Sequence, residues 1–341
     1  MSSNSQSVMF IAEISANHLG SLDRAHMLID AATEAGADAV KMQTYTPDTM
    51  TLNIPEYSVS GAHSLWGGRT LYSLYQEAMT PWEWHKELFE HCRSNGVIPF
   101  SSPFDPTAVN FLESLDAPMY KIASLETSDH KLIRMVGETG KPTLISTGAT
   151  ELDEIEDLVE VFLSTGNQNL TLLVCTSDYP AQPKDANLTR IVELREKFSL
   201  AVGVSDHTLS LSVPIVAITL GATAVEKHLT LNRDDGGADA SFSLEPEEFR
   251  ELVQEGKNAI LSLGDGNWEI QPSEAESRRL RRTLHIVSNV YKGEVITNEN
   301  VRAIRPGTGL SPKFLDDLLG KRFREDYSLG TPMQRDFVQK E

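Results

Sequence analysis

The 341-residue sequence has few cysteines, no long apolar run and no recognisable leader. Its two cysteines, Cys92 and Cys175, show no disulfide spacing, which favours a reducing compartment. No stretch approaches the 18 uninterrupted apolar residues that a membrane span needs. The first ten residues carry neither the charged region nor the apolar core of a signal peptide. We therefore expect a cytoplasmic protein that does not enter a membrane.

Positive charge is also scarce, because 30 Lys and Arg face 49 Asp and Glu, giving a formal net charge of -19. A surface this acidic repels nucleic acid and anionic lipid, so neither is expected as a partner. An anionic substrate would therefore need a local basic pocket. The hydrophobic fraction of 40% and charged fraction of 23% are typical of a soluble enzyme and do not indicate disorder.

Short apolar runs alternate with amphipathic, helix-like segments through most of the chain. The runs lie at residues 10–15, 39–45, 97–103, 119–124, 143–148, 170–177, 201–206 and 224–230. Eight β/α units over about 260 residues predict an α/β fold, a closed (β/α)8 TIM barrel. An open doubly wound sheet is the alternative, but the count of eight favours closure.

Two regions interrupt this rhythm. Residues 264–283 are polar and rich in Gly, Pro and charge, which marks a domain boundary. We predict a catalytic barrel at 1–265, a linker at 266–282 and a small β-rich domain at 283–341. The second region, residues 48–84, is aromatic-rich and far longer than a usual connection. It predicts either a lid over the site or a packed surface excursion.

Two histidines hold matching places at the ends of neighbouring predicted strands. His207 closes one β-branched run and His228 closes the next, with an apolar helix between them. The carboxyl ends of parallel strands converge, so both imidazoles could share one divalent ion, with Asp206 and Glu226 nearby. The alternative is two unrelated histidines.

Other strand ends also carry polar residues. Lys41 and Lys121 supply positive charge, and the serines supply hydrogen-bond donors. The strand ends, which meet at one mouth of the predicted barrel, therefore indicate a site for an anion. Either lysine could instead form a Schiff base, as in aldolases, although the histidines argue for metal chemistry. Individual Ser and Thr residues could simply cap helices. The ring comprises Glu13, Asn17, His18, Lys41, Gln43, Ser101, Ser102, Lys121, Ser124, Ser146, Thr147, Thr176, Ser177, Asp206, His207, Glu226 and His228.

The ordered motifs AEISANH, VKMQTYTPDTMTL, FSSPF, YKIAS, STG, CTSDYP, GVSDHTLS and EKHLTL resemble the sialic acid synthase family. The resemblance covers essentially the whole chain, because KGEVITNENVRAIRPGTGL is similar to the family's antifreeze-like SAF domain. The insertion SLWGGRTLYSLYQEAMTPWEW and the ending SPKFLDDLLGKRF are similar to the pseudaminic acid branch. N-acetylneuraminic and legionaminic acid branches remain the alternatives.

The resemblance implies a metal-dependent transferase that condenses phosphoenolpyruvate with an acylamino sugar. It implies Mn²⁺ or Mg²⁺ at His207 and His228, and a proton relay through Glu13 or Glu126. Positions matching phosphoenolpyruvate-binding residues are Lys41, Ser102, Lys121, Ser124, Ser146, Ser177 and Ser205. Positions matching sugar-facing residues are Glu13, Gln43, Glu126, Tyr179, Asp239 and Arg305. Ser177 and Ser102 depart from the Asn and Thr often found in the family.

The resemblance further implies a domain-swapped homodimer, in which Arg305 reaches the partner subunit's barrel. For the pseudaminic acid branch, the expected sugar is 2,4-diacetamido-2,4,6-trideoxy-β-L-altropyranose. Two functions of other classes remain as alternatives to the synthase. They are a Schiff-base aldolase and a carbohydrate-binding protein without catalytic activity.

Overall fold

The computed structural model describes residues 7–59 and 65–339, which fall into two compact units, 1–265 and 266–341. The first unit is a closed barrel of eight parallel strands, so the predicted TIM barrel is confirmed. The strands are β1 Met9–Glu13, β2 Ala39–Thr44, β3 Ile98–Pro103, β4 Tyr120–Ile122, β5 Thr143–Ser146, β6 Leu170–Cys175, β7 Ala201–Asp206 and β8 Ala224–His228. Strand β1 pairs with both β2 and β8, which closes the barrel.

Helices surround this barrel and bury one apolar face against it. Their first turns are fixed locally: Ser21 accepts the Arg24 N–H at 3.2 Å, and Asp105 precedes a proline at the first turn of its helix. The helices are α1 Leu22–Glu34, α2 Pro47–Met50, α3 Leu71–Ala78, α4 His85–Ser94, α5 Pro106–Ser114, α6 His130–Glu138, α7 Leu152–Leu163, α8 Arg190–Phe198, α9 Ser212–Thr219 and α10 Pro246–Leu263. None in the described ranges is long and apolar enough to cross a bilayer.

The barrel interior is closed at its lower end by an apolar layer, which we call the inner plug. It consists of Ile11, Ala39, Phe100, Met119, Leu144, Leu173 and Ala224. On β7 the corresponding position is Gly203, where a Cβ would lie 2.5 Å from the Ala224 carbonyl oxygen. Only glycine fits this close approach of β7 to β8. Since side chains alternate along a strand, the residues two positions further on also face the interior.

The aromatic segment at 48–84 contains α2, α3 and a short 3₁₀ turn at Trp82–Trp84, with a bridge between Ser58 and Thr70. Its residues 60–64 lie outside the described residues. The Trp82 indole N–H donates to the Tyr45 carbonyl at 3.0 Å, and Trp84 packs against the barrel core. The last part of the segment is therefore packed structure, whereas the middle part lines a cavity described below.

The second unit has its own small core and an antiparallel pair of strands, β9 Thr283–Ile286 and β10 Val301–Ile304. Leu284, Ile286, Val301, Phe323 and Met333 are buried within it. Its helices are α11 Ala275–Arg279 and α12 Leu315–Leu318. This small sheet matches the β-rich second domain that the sequence predicts.

Candidate active site

Directly above the inner plug lies a layer that is almost entirely polar, which we call the polar ring. Each member follows an inward-facing plug position by two residues, so strand alternation alone aims it into the barrel. The ring consists of Glu13, Lys41, Ser102, Lys121, Ser146, Cys175, Ser205 and Glu226. The barrel mouth therefore changes from apolar to ionic within one layer.

Glu226 is the centre of this ring. Its carboxylate lies 2.9 Å from Lys41 Nζ and 3.2 Å from Lys121 Nζ, and it accepts the Ser205 hydroxyl at 2.8 Å. Burial alone would raise the pKa of Glu226, but Lys121 and Lys41 outweigh burial and hold that pKa well below its usual range. Lys41 also contacts Glu13 at 2.8 Å. Burial lowers the pKa of Lys41 to about 7, against the attraction of Glu226.

Several serine hydroxyls of the barrel mouth have no hydrogen-bond partner among the described residues. The hydroxyl oxygens of Ser102, Ser146 and Ser177 are buried and make no hydrogen bond within the described residues. The Ser124 hydroxyl accepts the Gly148 N–H at 3.0 Å. A Cβ on Gly148 would lie 2.3 Å from Ser177 Oγ, so glycine keeps this space open. Unsatisfied buried donors are costly, and beside two ammonium groups they form a cradle for an anion.

His207 and His228 face each other above the ring, with ring centroids 5.3 Å apart. His207 Nδ1 lies 3.0 Å from the Thr176 carbonyl, which can only accept, so Nδ1 carries a proton and Nε2 is the nitrogen that remains for another partner. Burial, reinforced by the His207 and Lys41 charges, holds the pKa of His228 well below its usual value, so His228 is neutral. Its Nδ1 is buried, makes no hydrogen bond in the part of the chain that the structure describes, and lies 3.6 Å from Asp239 Oδ2.

These two imidazoles fit a divalent metal in donor type, and the neutral state of His228 suits a metal ligand. A carbonyl that orients the other nitrogen of His207 is the usual second-shell support of a histidine ligand. Within the described ranges, no group of three or more His, Cys, Asp or Glu is arranged as a complete metal site. A metal held here would therefore take its remaining ligands from water or substrate.

Asp206, which we expected beside the histidines, is directed away from them. It alternates with Ser205 and His207 on β7 and therefore points to the outer face, where it binds Lys227 at 2.8 Å. Ser101 is also on the outer face and lies 2.6 Å from Thr44 Oγ1. Both were predicted in the ring because the prediction counted strand ends without applying the two-residue period.

A cavity of about 430 Å³ opens above the histidines. Four predicted sugar-facing residues, Gln43, Glu126, Tyr179 and Asp239, line it together with His228 and Ser124. Burial raises the pKa of Glu126 to about 7, and its buried Oε2 has no hydrogen-bond partner among the described residues. Glu13 lies deeper, bound to Lys41 and to the Ser15 N–H at 2.7 Å. Glu126 is thus a carboxyl at the cavity wall that can hold or release a proton near neutral pH.

Much of the remaining lining of the cavity is apolar and comes from the aromatic segment. Its residues are Met50, Val59, Trp66, Leu71, Leu74, Tyr75 and Ala78. We call this set the apolar wall. The cavity therefore suits a ligand that carries both polar groups and an apolar group.

Sequence reasoning missed two residues of the site. Phe242 packs against both imidazoles, with centroids 4.9 Å from His228 and 6.0 Å from His207. It comes from an irregular loop, and no sequence pattern points to it. Cys175 lies in the polar ring, with Sγ 3.9 Å from His207 Nδ1. Its distance of two residues from inward-facing Leu173 is a signal that would have found it.

The last predicted site residue, Arg305, belongs to the second unit. It follows β10 directly and is exposed there.

The closed barrel and its mouth, with paired lysines, unsatisfied hydroxyls and two facing imidazoles, define a TIM-barrel enzyme with a site suited to a small anion. The NeuB family profile matches residues 28–268 and the SAF domain profile matches residues 281–338, so the chain belongs to the NeuB family. The resemblance to sialic acid synthases is thereby confirmed.

Named relatives agree with this assignment. A pseudaminic acid synthase of Campylobacter jejuni is 42% identical over 328 residues, covering 96% of both chains. An N,N'-diacetyllegionaminic acid synthase of Legionella pneumophila is 35% identical and covers 97% of this chain and 94% of its own. The crystal structure of an N-acetylneuraminic acid synthetase from Leptospira borgpetersenii superposes with a TM-score of 0.72 at 30% identity, covering 81% and 94% of the two chains.

Proposed function

We propose that the protein condenses phosphoenolpyruvate with 2,4-diacetamido-2,4,6-trideoxy-β-L-altropyranose and water, giving pseudaminic acid and phosphate for nonulosonic acid biosynthesis. The observation that carries this proposal is the anion cradle next to a cavity whose lining combines the predicted sugar-facing residues with the apolar wall. Identity of 42% to a pseudaminic acid synthase, against 35% to a legionaminic acid synthase, supports this sugar over its isomer.

Phosphoenolpyruvate fits the lower part of the site. Lys41 and Lys121 would neutralise its phosphate and carboxylate, and Ser102, Ser146 and Ser177 would donate the hydrogen bonds that they lack in the free protein. The Ser124 and Ser205 hydroxyls complete the set. Because these donors are already in place, they stabilise the anionic groups without reorganisation during the reaction.

A divalent cation, Mn²⁺ or Mg²⁺, would be held by His207 and His228. When bound, it supplies Lewis-acid polarisation of the aldehyde oxygen of the open-chain sugar. His207 is oriented for this by Thr176, and Phe242 shields both rings from bulk water.

The sugar would occupy the cavity, with Gln43, Tyr179 and Asp239 as polar contacts. The apolar wall would pack on its 6-deoxy methyl end. Glu126, with a pKa of about 7, is protonated in much of the population near neutral pH and can donate a proton to the aldehyde oxygen. We therefore assign the proton relay to Glu126, and to Glu13 the role of orienting Lys41.

The proposed reaction has three steps: formation of a carbon–carbon bond, addition of water and loss of phosphate. C3 of phosphoenolpyruvate forms a bond to the aldehyde carbon, whose oxygen takes a proton from Glu126. The electron-deficient C2 that results accepts water, and the water gives one proton back to the Glu126 carboxylate. The tetrahedral intermediate loses phosphate by C–O cleavage and leaves a nine-carbon 2-keto acid, which cyclises.

We also propose a domain-swapped homodimer in which Arg305 completes the partner subunit's site. This rests on the resemblance of the family's SAF-containing chains and on the exposure of Arg305. An Arg305→Ala subunit mixed with a subunit that carries His228→Ala should recover part of the activity, as each dimer then holds one intact site. No recovery in a verified mixed dimer would contradict the swap.

Phosphate release from phosphoenolpyruvate tests the function. It should require both the sugar and a divalent cation, and EDTA should abolish it. The lowered pKa of Lys41 is a property that Schiff-base lysines share, which makes an aldolase the second candidate. Activity that survives EDTA and is trapped by borohydride would support the aldolase, and sugar binding without turnover would support a binding protein.

A further inference from the structure

A second ionic pair lies behind the polar ring, on the outer face of the same two strands. Asp206 of β7 and Lys227 of β8 are partners in the strand register, just as Ser205 and Glu226 are. Lys227 is fully buried and Asp206 is 4% exposed. Their side chains meet at 2.8 Å between Nζ and Oδ2.

The pair also holds the turn that carries His207. Asp206 accepts the Thr208 N–H at 2.9 Å and the Thr208 hydroxyl at 3.1 Å. The Lys227 ammonium donates to the Thr208 carbonyl. His207, which lies between Asp206 and Thr208 in sequence, is therefore fixed from both sides, and Lys227 is itself the residue before His228.

We infer that Asp206 and Lys227 are positioning residues, which fix the relative orientation of the two imidazoles from the opposite face of the strands. This inference rests on the proposed function insofar as it concerns a metal at His207 and His228. Neither residue touches the cavity or the anion cradle.

Stability alone is a poor reason for such a pair. Two charges buried behind a barrel lose hydration, and apolar residues of similar volume often serve a fold as well or better. What apolar residues cannot do is bind three polar groups of Thr208 at once. The pair therefore fixes the geometry of the turn at Thr208, even though it adds little to the stability of the fold.

The test compares Mn²⁺ affinity of the metal-free full-length protein with its stability. The variants are Asp206→Asn, Lys227→Met and the two combined, and the control is Lys141→Met, which removes a half-exposed pair with Glu113. Calorimetric titration gives the Kd for Mn²⁺, and thermal unfolding in EDTA gives the stability without metal. We expect each single variant to weaken Mn²⁺ binding by about 10–100-fold, as loss of outer-shell partners does elsewhere, with no change in the control.

The combined variant separates positioning from folding, because it leaves no unpaired buried charge. It should unfold at a higher temperature than either single variant yet still bind Mn²⁺ at least tenfold more weakly than wild type. Wild-type affinity in the combined variant, or its failure to fold, would show that the pair serves the fold alone and would overturn the inference. Unchanged affinity in folded single variants would overturn it too. A wild-type protein that binds no Mn²⁺ would refute the proposed metal site together with the inference.

Discussion

Among the described residues, Glu226 is the one carboxylate that contacts both Lys41 and Lys121, so its loss should be costly before any substrate is considered. Glu226→Gln keeps the shape and an acceptor for Ser205 but removes the negative charge. Lys41 retains Glu13 as a partner, whereas Lys121 loses its only ion pair in the described part of the chain. Breaking a buried pair of this kind costs about 3–5 kcal/mol.

For a domain of this size, 1 kcal/mol shifts the thermal midpoint by about 2–4 °C. We therefore expect Glu226→Gln to lower the midpoint of the barrel transition by roughly 6–20 °C in calorimetry. The matched control is Glu156→Gln, which breaks the half-exposed pair with Lys197 and should cost less than about 1 kcal/mol.

Added phosphate gives the second arm of this experiment. In the variant, an anion replaces the missing charge between the lysines, so millimolar phosphate should raise the midpoint more than it does in wild type. A variant that unfolds within about 2 °C of wild type, with an equal response to phosphate, would refute the ionic account of the ring.

Three further predictions concern turnover. Glu126→Gln should remove the high-pH limb of kcat, because a carboxyl with a pKa of about 7 loses its donor proton as pH rises through that value; a limb that persists in the variant would exclude Glu126 as the donor. Lys121→Met should raise KM for phosphoenolpyruvate roughly 10–100-fold, the loss expected for one charged hydrogen bond in steady-state assays; an unchanged KM would remove Lys121 from the anion cradle. Leu71→Asn should lower kcat/KM for the 6-deoxy sugar about tenfold while sparing KM for phosphoenolpyruvate; equal losses for both substrates would contradict the apolar wall.

The barrel and most of its polar ring were predictable because both follow from periodicity. Eight apolar runs predict eight strands, and Lys41, Lys121 and Glu226 each stand two residues after an inward-facing apolar residue. The same rule, applied strictly, would have excluded Asp206 and included Cys175. Phe242 could not be found this way, because it reaches the histidines from a loop whose course depends on tertiary packing.

The charge contacts inside the barrel could not be predicted from the sequence either. Nothing in the residue pattern shows that Glu226 bridges two lysines or that Glu126 stays free at the cavity wall, since both facts depend on distances across the barrel. The perturbed pKa values of Lys41 and Glu126 follow from that burial.

The proposed function requires one barrel mouth to hold phosphoenolpyruvate against a 6-deoxy diacetamido sugar. The most direct measurement is phosphate release with Mn²⁺ present, comparing 2,4-diacetamido-2,4,6-trideoxy-β-L-altropyranose with N-acetylmannosamine at equal concentrations. The proposed function predicts a higher kcat/KM for the 6-deoxy sugar, by at least about tenfold, because its methyl group would pack on the apolar wall. A preference for N-acetylmannosamine would contradict the assignment.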